Sequence, residues 1–309
     1  MGYKLAGYNH LGGVEIDPKI ADIYRHNHHP QYLYVEDLRK FNEREDLPDE
    51  LYNLDLLDGS PPCTTFSMAG KRERVWGKEK RFAEGQSLQT LDDLVFVYCD
   101  TIRKLKPKTF ILENVSGLAK GNAKSYLKRI VNTVGEAGYD TQVFIFNAAT
   151  MGVPQRRDRC FILGCKKDLH LQPIRMAFNE PPVLFKEVMD KTDMSVNLSE
   201  TVLHLYKNRS KKDRSLRDTS IRVAGGGQFG STSWVHGDDV CPTLITTDRV
   251  LFDIPRKLNE KEMKLVSTFP TDYECTKKGT LQFLTGMSVP PVMTAQISYQ
   301  IYLQWLRKI

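Results

Sequence analysis

The chain has no apolar run long enough to span a bilayer and no charged-then-apolar leader, so it reads as a cytoplasmic protein without a membrane anchor. Internal repeats and low-complexity segments are absent too. Its six cysteines show no metal-like spacing, and Cys160 and Cys165 lie too far apart for C-x-x-C. Reduced thiols and no metal site are therefore expected. Charge of one sign is in only modest excess: a formal +6 permits a polyanionic partner without demanding one. What the chain does have is 309 residues, 40% of them apolar, enough for one large α/β core plus a smaller lobe.

Cys63 stands out because it comes directly after Pro61-Pro62 at the end of the apolar run LDLLDGSPPCTTFS. Residues 54–57 predict a short buried strand, Asp58-Gly59-Ser60 a turn, and the two prolines a stiff backbone leading into the thiol. This puts a thiol at the carboxyl end of a strand, where α/β sheets bind ligands, and makes it a nucleophile candidate. A small buried apolar side chain would look the same locally. The segment KPKTFILENVSGL repeats the design, with a strand from Thr109 to Leu112 delivering Glu113, Asn114 and Val115 to its tip. Desolvation there raises a carboxyl pKa and keeps a proton available, although an N-cap or a solvated loop acid fits as well. In MGVPQRRDRCFILG, Gln155, Arg157 and Arg159 alternate into a strand from Cys160 to Leu163. Alternation puts these three on one face and Arg156 and Asp158 on the other, as a plain charged edge strand also would.

The basic residues gather in two clusters. KRERVWGKEKR, from Lys71 to Arg81, carries Lys71, Arg72, Arg74 and Trp76 just after Cys63 and reads either as a loop closing over a nucleic-acid backbone or as a solvated charged loop. YKNRSKKDRSLRDTSIR, from Tyr206 to Arg222, sets seven cations, Lys207, Arg209, Lys211 and Lys212 among them, against Asp213 and Asp218. The glycine-rich Gly225–Gly230 run behind it includes Gln228. Cations beside such a loop suit a groove-reading surface.

Helix and strand signals become irregular after about residue 165, which divides the chain into a large lobe, 1–165, a smaller one, 166–248, and a returning segment, 249–309. Helices are predicted over Leu91 to Leu105, within LNEKEMKLVSTF, and along the amphipathic VMTAQISYQIYLQWLRKI. The first separates the Cys63 and Glu113 strands, as a parallel pair requires.

These segments, in this order, resemble the cytosine-5 DNA methyltransferase family. GSPPCTTFS resembles its Pro-Cys motif, FILENVSGL its Glu-Asn-Val motif and VPQRRDRCFILG its Gln-Arg-x-Arg motif. RKLNEKEMKLVSTFP (256–270) resembles the motif supporting target recognition, and FLTGMSVPPVMTAQIS (283–298) the last motif, which returns to the cofactor site. The resemblance implies an α/β fold, a Rossmann-like mixed sheet of the S-adenosylmethionine-dependent methyltransferase type, with a small target-recognition domain at 166–248. It implies methyl transfer to carbon 5 of a flipped cytosine in double-stranded DNA, as in restriction-modification systems. Cys63 would attack carbon 6, Glu113 would hold the exocyclic amine and protonate nitrogen 3, and Arg159 would bind the carbonyl oxygen. Gln155 and Arg157 would brace this pocket, and Asn114 would fix the Glu113 and Pro62 loops. For S-adenosylmethionine, the resemblance implies Glu15 on the ribose, Ile16 beside the adenine, Asp37 as a further adenine contact and Ser288 from the last motif. An acid capping a helix is the plain reading of Asp37.

The sequence also departs from the family. The first strand and its FxGxG cofactor loop are expected ahead of residue 1, with Met1–Lys4 inside the helix that comes after them. Gly12-Gly13 come too late to replace that loop. Met287 stands where the family commonly has asparagine, and Thr64 where a polar amide is usual. The readings are an active enzyme that gains the strand from upstream or from a second chain, an inactive DNA-binding remnant, and an RNA cytosine-5 methyltransferase.

Overall fold

The computed structural model describes residues 1–62, 93–121, 123–226, 229, 232–246, 249–275 and 279–309. Cys63, Thr64, Lys71, Arg72, Arg74, Trp76 and Gln228 lie outside the described residues. Strands are β1 Gly12–Val14, β2 Tyr32–Tyr34, β3 Leu56–Gly59, β4 Thr109–Val115, β5 Tyr139–Asn147, β6 Gln155–Arg156, β7 Asp158–Lys166, β8 Trp234–Val235, β9 Cys241–Pro242 and β10 Val250–Leu251. Helices are α1 Gly2–Leu5, α2 Pro18–His28, α3 Leu38–Glu43, α4 Leu94–Leu105, α5 Ala123–Glu136, α6 Phe185–Val188, α7 Glu200–Lys207, α8 Leu216–Ala224, α9 Glu260–Val266, α10 Thr280–Met287 and α11 Pro291–Gln304. Among the described residues no helix is long and apolar enough to cross a membrane.

Two compact units form. The sheet unit comprises Asn9–Phe146, Asp158–Met176 and Ser298–Ile309; the helical unit comprises Met1–Tyr8, Asn147–Arg157 and Ala177–Ile297. These limits differ from the lobes read from sequence, 1–165, 166–248 and 249–309. Residues 249–297 stay with the helical unit because α9 packs against α6 and α10, and residues 147–157 join it through the side chains of Gln155 and Arg157.

In the sheet unit the strand order is β3-β4-β7-β5, with β3 parallel and β7 antiparallel to β4, while β1 and β2 form a separate parallel ribbon. Thr109–Leu112 are buried without interruption, as an apolar run covered on both faces should be. Val95, Tyr98 and Ile102 of α4 and Ile130 and Val134 of α5 pack on Phe110, Leu112 and Ile162. A second cluster gathers Phe41, Leu47, Leu51 and Leu105 with Val14, Tyr32, Tyr34, Leu54 and Leu57. The first catalytic-side strand is shifted from the predicted 54–57: Gly59 pairs with Leu112, so Asp58-Gly59 continue the strand instead of ending it. The break comes at Ser60-Pro61, where proline offers no N–H to the ladder.

The helical unit is organised by buried polar groups. Arg256 and Glu262, both fully buried, form a two-pronged pair at 2.7 and 2.8 Å, and Glu262 also accepts the N–H groups of Asp190 and Asn259. Asn259 caps α9 in return, accepting the N–H of Glu262. The basic run spans the end of α7, the turn at 208–215 and most of α8, and Gly225, with φ 72°, ends α8 in the left-handed region. Inside that turn Asp213 accepts from Arg222 at 2.6 Å, Thr219 at 2.9 Å and the Ser210 N–H at 2.9 Å.

The Arg222 guanidinium holds the Asp213 carboxyl down at about 2, despite its burial. A carboxylate with a depressed folded pKa stabilises the fold above its unfolded value, near 4, and that contribution is lost as pH falls through about 2. Asp213→Asn is expected to lower stability at pH 7 by about 2 kcal/mol and to flatten its decline between pH 5 and pH 2. Urea unfolding across that range, followed by Trp fluorescence, tests this. A variant whose acid-range decline is as steep as wild type would assign it to other groups.

Candidate active site

Two of the sequence-predicted catalytic segments meet at one end of the sheet. In the β4–β7 register Glu113 lies opposite Phe161 and Val115 opposite Arg159, so Glu113 and Arg159 are diagonal neighbours on one face. Their side chains, 14% and 13% exposed, form an ion pair at 2.8 Å. Burial pulls the Arg159 guanidinium below its usual pKa, and Glu113 opposes that pull. Arg159 also donates to the carbonyl of Asp158. The strand continues to Val115, past the predicted end at Leu112, so the carboxylate is fixed in direction within its last residues, with a cation against it.

The turn that leads to Cys63 is tied to the same strand. Asn114, buried, donates through Nδ2 to the carbonyl of Pro61 at 3.2 Å and accepts the Val115 N–H through Oδ1. Pro62 comes next within the described residues, and Cys63 lies just beyond them. The described cysteines are poor alternatives as nucleophiles. Burial pushes the thiols of Cys99, Cys160 and Cys241 up to about 12 and that of Cys165 to about 11, and raises Cys275 as well.

The Gln-Arg-x-Arg segment is not one continuous strand: it breaks at Arg157, between β6 and β7. The expected alternation survives in burial, since Gln155 and Arg157 are buried while Arg156 and Asp158 are exposed. Gln155 and Arg157 brace the helical unit. Gln155 accepts the Leu244 N–H and donates to the Val266 carbonyl, while Arg157 donates to the carbonyls of Leu244 and Gly286 at 2.9 and 2.8 Å. Each satisfies backbone groups that the segments 244–286 leave without a ladder partner.

The cofactor-side candidates fall at the carboxyl ends of β1 and β2. Val14 pairs with Tyr34, so Glu15 and Ile16 leave one strand beside the point where Val35, Glu36 and Asp37 leave the other. Glu15 accepts the Asp17 N–H at 2.9 Å, and Asp37 caps α3 by accepting the Arg39 N–H at 2.8 Å, the plain role its position allowed. Ile16 and Val35, in the same two connections, are exposed, 37% and 39%. Ser288, in the helical unit, closes α10 by donating to the Leu284 carbonyl.

Of the recognition candidates, Lys207, Lys211 and Lys212 are exposed around the α7–α8 turn, with Arg214 and Arg217 beside them. Arg209 is held differently: it stacks 3.6 Å from the Tyr206 ring centroid and donates to the Phe252 and Tyr206 carbonyls. Among the described residues no cluster of His, Cys, Asp and Glu is arranged to hold a metal ion.

One participant escapes sequence reasoning. Tyr98, on α4, points its hydroxyl at the carbonyls of Leu57 on β3, 3.2 Å, and Ile111 on β4, 2.9 Å. Its ring fills the space in which a Cβ on Gly59 would sit, 2.3 Å away. One phenol thus ties the strand that leads to Pro61 to the strand that carries Glu113. A tyrosine on an apolar helix gives no such signal in sequence, because core residues look the same.

The geometry is that of a mixed α/β sheet whose central strand carries a carboxylate–arginine pair beside a proline-containing turn. The profile of the C-5 cytosine-specific DNA methylase family matches residues 1–303, and the chain belongs to that family of DNA (cytosine-5-)-methyltransferases. It is 28% identical to the type II methyltransferase M.Sau96I of Staphylococcus aureus, over 89% of this chain and 66% of that protein. It is 33% identical to the type II methyltransferase M.HindV of Haemophilus influenzae, over 94% of this chain and 88% of that protein. Its fold is similar to that of a candidate DNA modification methyltransferase encoded within an E. coli prophage: TM-score 0.71, 18% identity, 98% of this chain and 94% of that one.

Tyr98→Phe is expected to cost about 1 kcal/mol, the usual net worth of one lost hydrogen bond. Gly59→Ala should cost about 1–3 kcal/mol, because the new methyl must displace a packed ring. Urea midpoints at constant m-value give both numbers, and an unchanged Gly59→Ala would mean that Tyr98 has room to move.

Proposed function

We propose that the protein methylates carbon 5 of cytosine in double-stranded DNA, taking the methyl group from S-adenosylmethionine. The observation that carries this reading is the Glu113–Arg159 pair at 2.8 Å, with Glu113 on the strand whose Asn114 holds the Pro61 carbonyl. A cytosine entering edge-on offers this pair complementary groups: an amine and ring nitrogen for the carboxyl, a carbonyl oxygen for the guanidinium. To reach them it must leave the duplex stack.

In this reading the Cys63 sulfur adds to carbon 6, Glu113 hydrogen-bonds the exocyclic amine and protonates nitrogen 3, and Arg159 steadies the carbonyl oxygen. Carbon 5 then carries the electron density needed to accept a methyl group. The cofactor supplies an electrophilic methyl on a sulfonium. Glu15, Ile16 and Asp37 would hold its adenosine end, and Ser288, from the last motif, is a further cofactor candidate. Loss of the carbon 5 proton and departure of the sulfur leave 5-methylcytosine. Gln155 and Arg157 act by bracing backbone, and Lys207, Lys211 and Lys212 contact phosphates, with Lys71, Arg72, Arg74 and Gln228 as further DNA contacts. Arg209 contributes by shaping the turn that presents those lysines. The relatives are named type II methyltransferases, and a restriction-modification role is proposed for this chain.

With duplex carrying 5-fluorocytosine, which cannot lose its carbon 5 substituent as a proton, wild type should form a denaturant-resistant adduct. Cys63→Ala should form none and lose methyl transfer, while its DNA affinity stays within about fivefold. Normal turnover in Cys63→Ala would remove the covalent mechanism. The same assay on cytosine in RNA separates the two substrates: equal rates on both would displace DNA as the preferred one.

Replacing Lys211 and Lys212 by alanine should weaken binding to all sequences alike. The slope of log affinity against log salt should flatten by about two, one counterion per phosphate contact. Filter binding between about 50 and 200 mM salt measures it. An unchanged slope would make these lysines a solvated face.

A further inference from the structure

Five cations of the sheet unit outside the candidate site are set against acids: Arg25 on Asp22, Arg39 on Asp37, Arg44 on Glu36 and Asp46, Arg103 on Asp100 and Lys108 on Asp55. The stretch that follows Glu113 is different. Residues 116–135 contain Lys120, Lys124, Lys128 and Arg129 and neither aspartate nor glutamate. All four cations are exposed. Arg129 is engaged within the unit, its guanidinium 4.8 Å from the Phe96 ring centroid. The three lysine ammonium groups make neither an ion pair nor a hydrogen bond among the described residues.

Their place follows from the chain path. β4 ends at Val115, the short turn Ser116–Ala119 is buried at Ser116, Gly117 and Leu118, and α5 starts at Ala123. The lysines therefore begin at the same end of β4 as Glu113. Tyr126, Ile130 and Val134 turn to the core, which leaves Lys124 and Lys128 on the far side of α5, one turn and about 6 Å apart along its axis. Lys120 stands four residues ahead of Lys124, in the connection.

The fold gains nothing from this arrangement. Lys124 is the second residue of α5, where the helix dipole disfavours a cation, and the first turn holds no acid. Helix α9, by contrast, opens with Glu260 and Glu262. Lys124 and Lys128, four apart on one face, also repel each other. Local rules broken without a compensating contact mark a surface kept for something outside the chain.

We propose that Lys120, Lys124 and Lys128 form a second phosphate-contacting surface, on the sheet unit, for the DNA that is methylated; this rests on the DNA reading above. A duplex backbone carries one charge per about 3.4 Å of axis on each strand, so cations at intervals of about 6 Å meet phosphates whatever the bases are. Such contacts hold the backbone in register and carry no sequence information. The row thus supplies sequence-independent affinity at the end of the sheet where Glu113 lies, in addition to that of Lys211 and Lys212 in the helical unit.

The test measures affinity of the full chain against salt on two duplexes of equal length and unrelated sequence. Lys120→Gln/Lys124→Gln/Lys128→Gln should flatten the slope of log affinity against log salt by about two to three, equally on both duplexes. Glutamine matches lysine in helix propensity, so Tm should not fall. Replacing the same three by arginine should keep the wild-type slope. Lys40→Gln/Lys106→Gln/Lys166→Gln removes as much charge elsewhere in the unit and should change the slope by less than about one. An unchanged slope in the first variant, equal flattening in the control, an effect on one duplex only, or a lowered Tm in the first variant would each overturn the proposal. Wild type that binds neither duplex would remove the DNA reading itself, whereas a flattened Lys211 and Lys212 variant beside an unchanged α5 variant would remove only this surface.

Discussion

Burying the backbone of Thr109–Val115 obliges every N–H and C=O along it to find a partner, and this constraint organises the sheet unit. β3 satisfies one side in parallel and β7 the other in antiparallel register. The parallel partner must come back through a crossover, which α4 provides, and the antiparallel one through the segment after α5. Because the registers are fixed, so are the strand ends. Gly59 stops opposite Leu112, which brings Pro61 within reach of Asn114, and Arg159 enters opposite Val115, which brings it to Glu113. The candidate site thus forms where β4, still paired with β7, outruns its parallel partner β3.

The helical unit depends on a different device. Its β-elements are two residues long, too short to set a register by themselves, and its order comes from buried charge and backbone-directed side chains. The Arg256–Glu262 pair has each oxygen and most guanidinium N–H groups engaged, including the Asp193, Asp190 and Lys257 carbonyls. A buried pair gains little net stability over apolar residues, but losing one partner strands the other, so it specifies one arrangement of the segments it touches. Gln155 and Arg157 extend the same logic to residues 244–286.

How much of this is legible in the sequence depends on how local each cause is. The strand that carries Glu113, the helix ending at Leu105 and the amphipathic last helix are readable because period and punctuation are local; Met293, Ile297 and Ile301 of that helix are buried four residues apart, as a helical stripe requires. The end of β3 is not readable, because Asp58-Gly59 is a turn signal by composition while pairing to Leu112 keeps it extended. The unit limits differ because bonds from Gln155 and Arg157 reach residues about 90 to 130 positions away. Arg209 shares a basic run with Lys211 and Lys212, yet only the fold reveals that the Tyr206 ring and the Phe252 carbonyl hold it. Tyr98 has no sequence signal at all, since its role is set by two carbonyls on two different strands.

The distribution of cysteines carries the last step. A thiol serves as nucleophile only if its thiolate is accessible, and apolar burial acts against both requirements. Cys99 lies in the core cluster, Cys160 and Cys165 on a buried strand and Cys241 against Pro242, and burial raises every one. Glu113 adds to the rise at Cys160, so the carboxylate that would polarise a substrate also silences the thiol nearest to it in the ladder, opposite Asn114. In the proposed reaction the nucleophile is instead Cys63, which follows the turn Ser60-Pro61-Pro62, and Asn114 holds that turn through the Pro61 carbonyl.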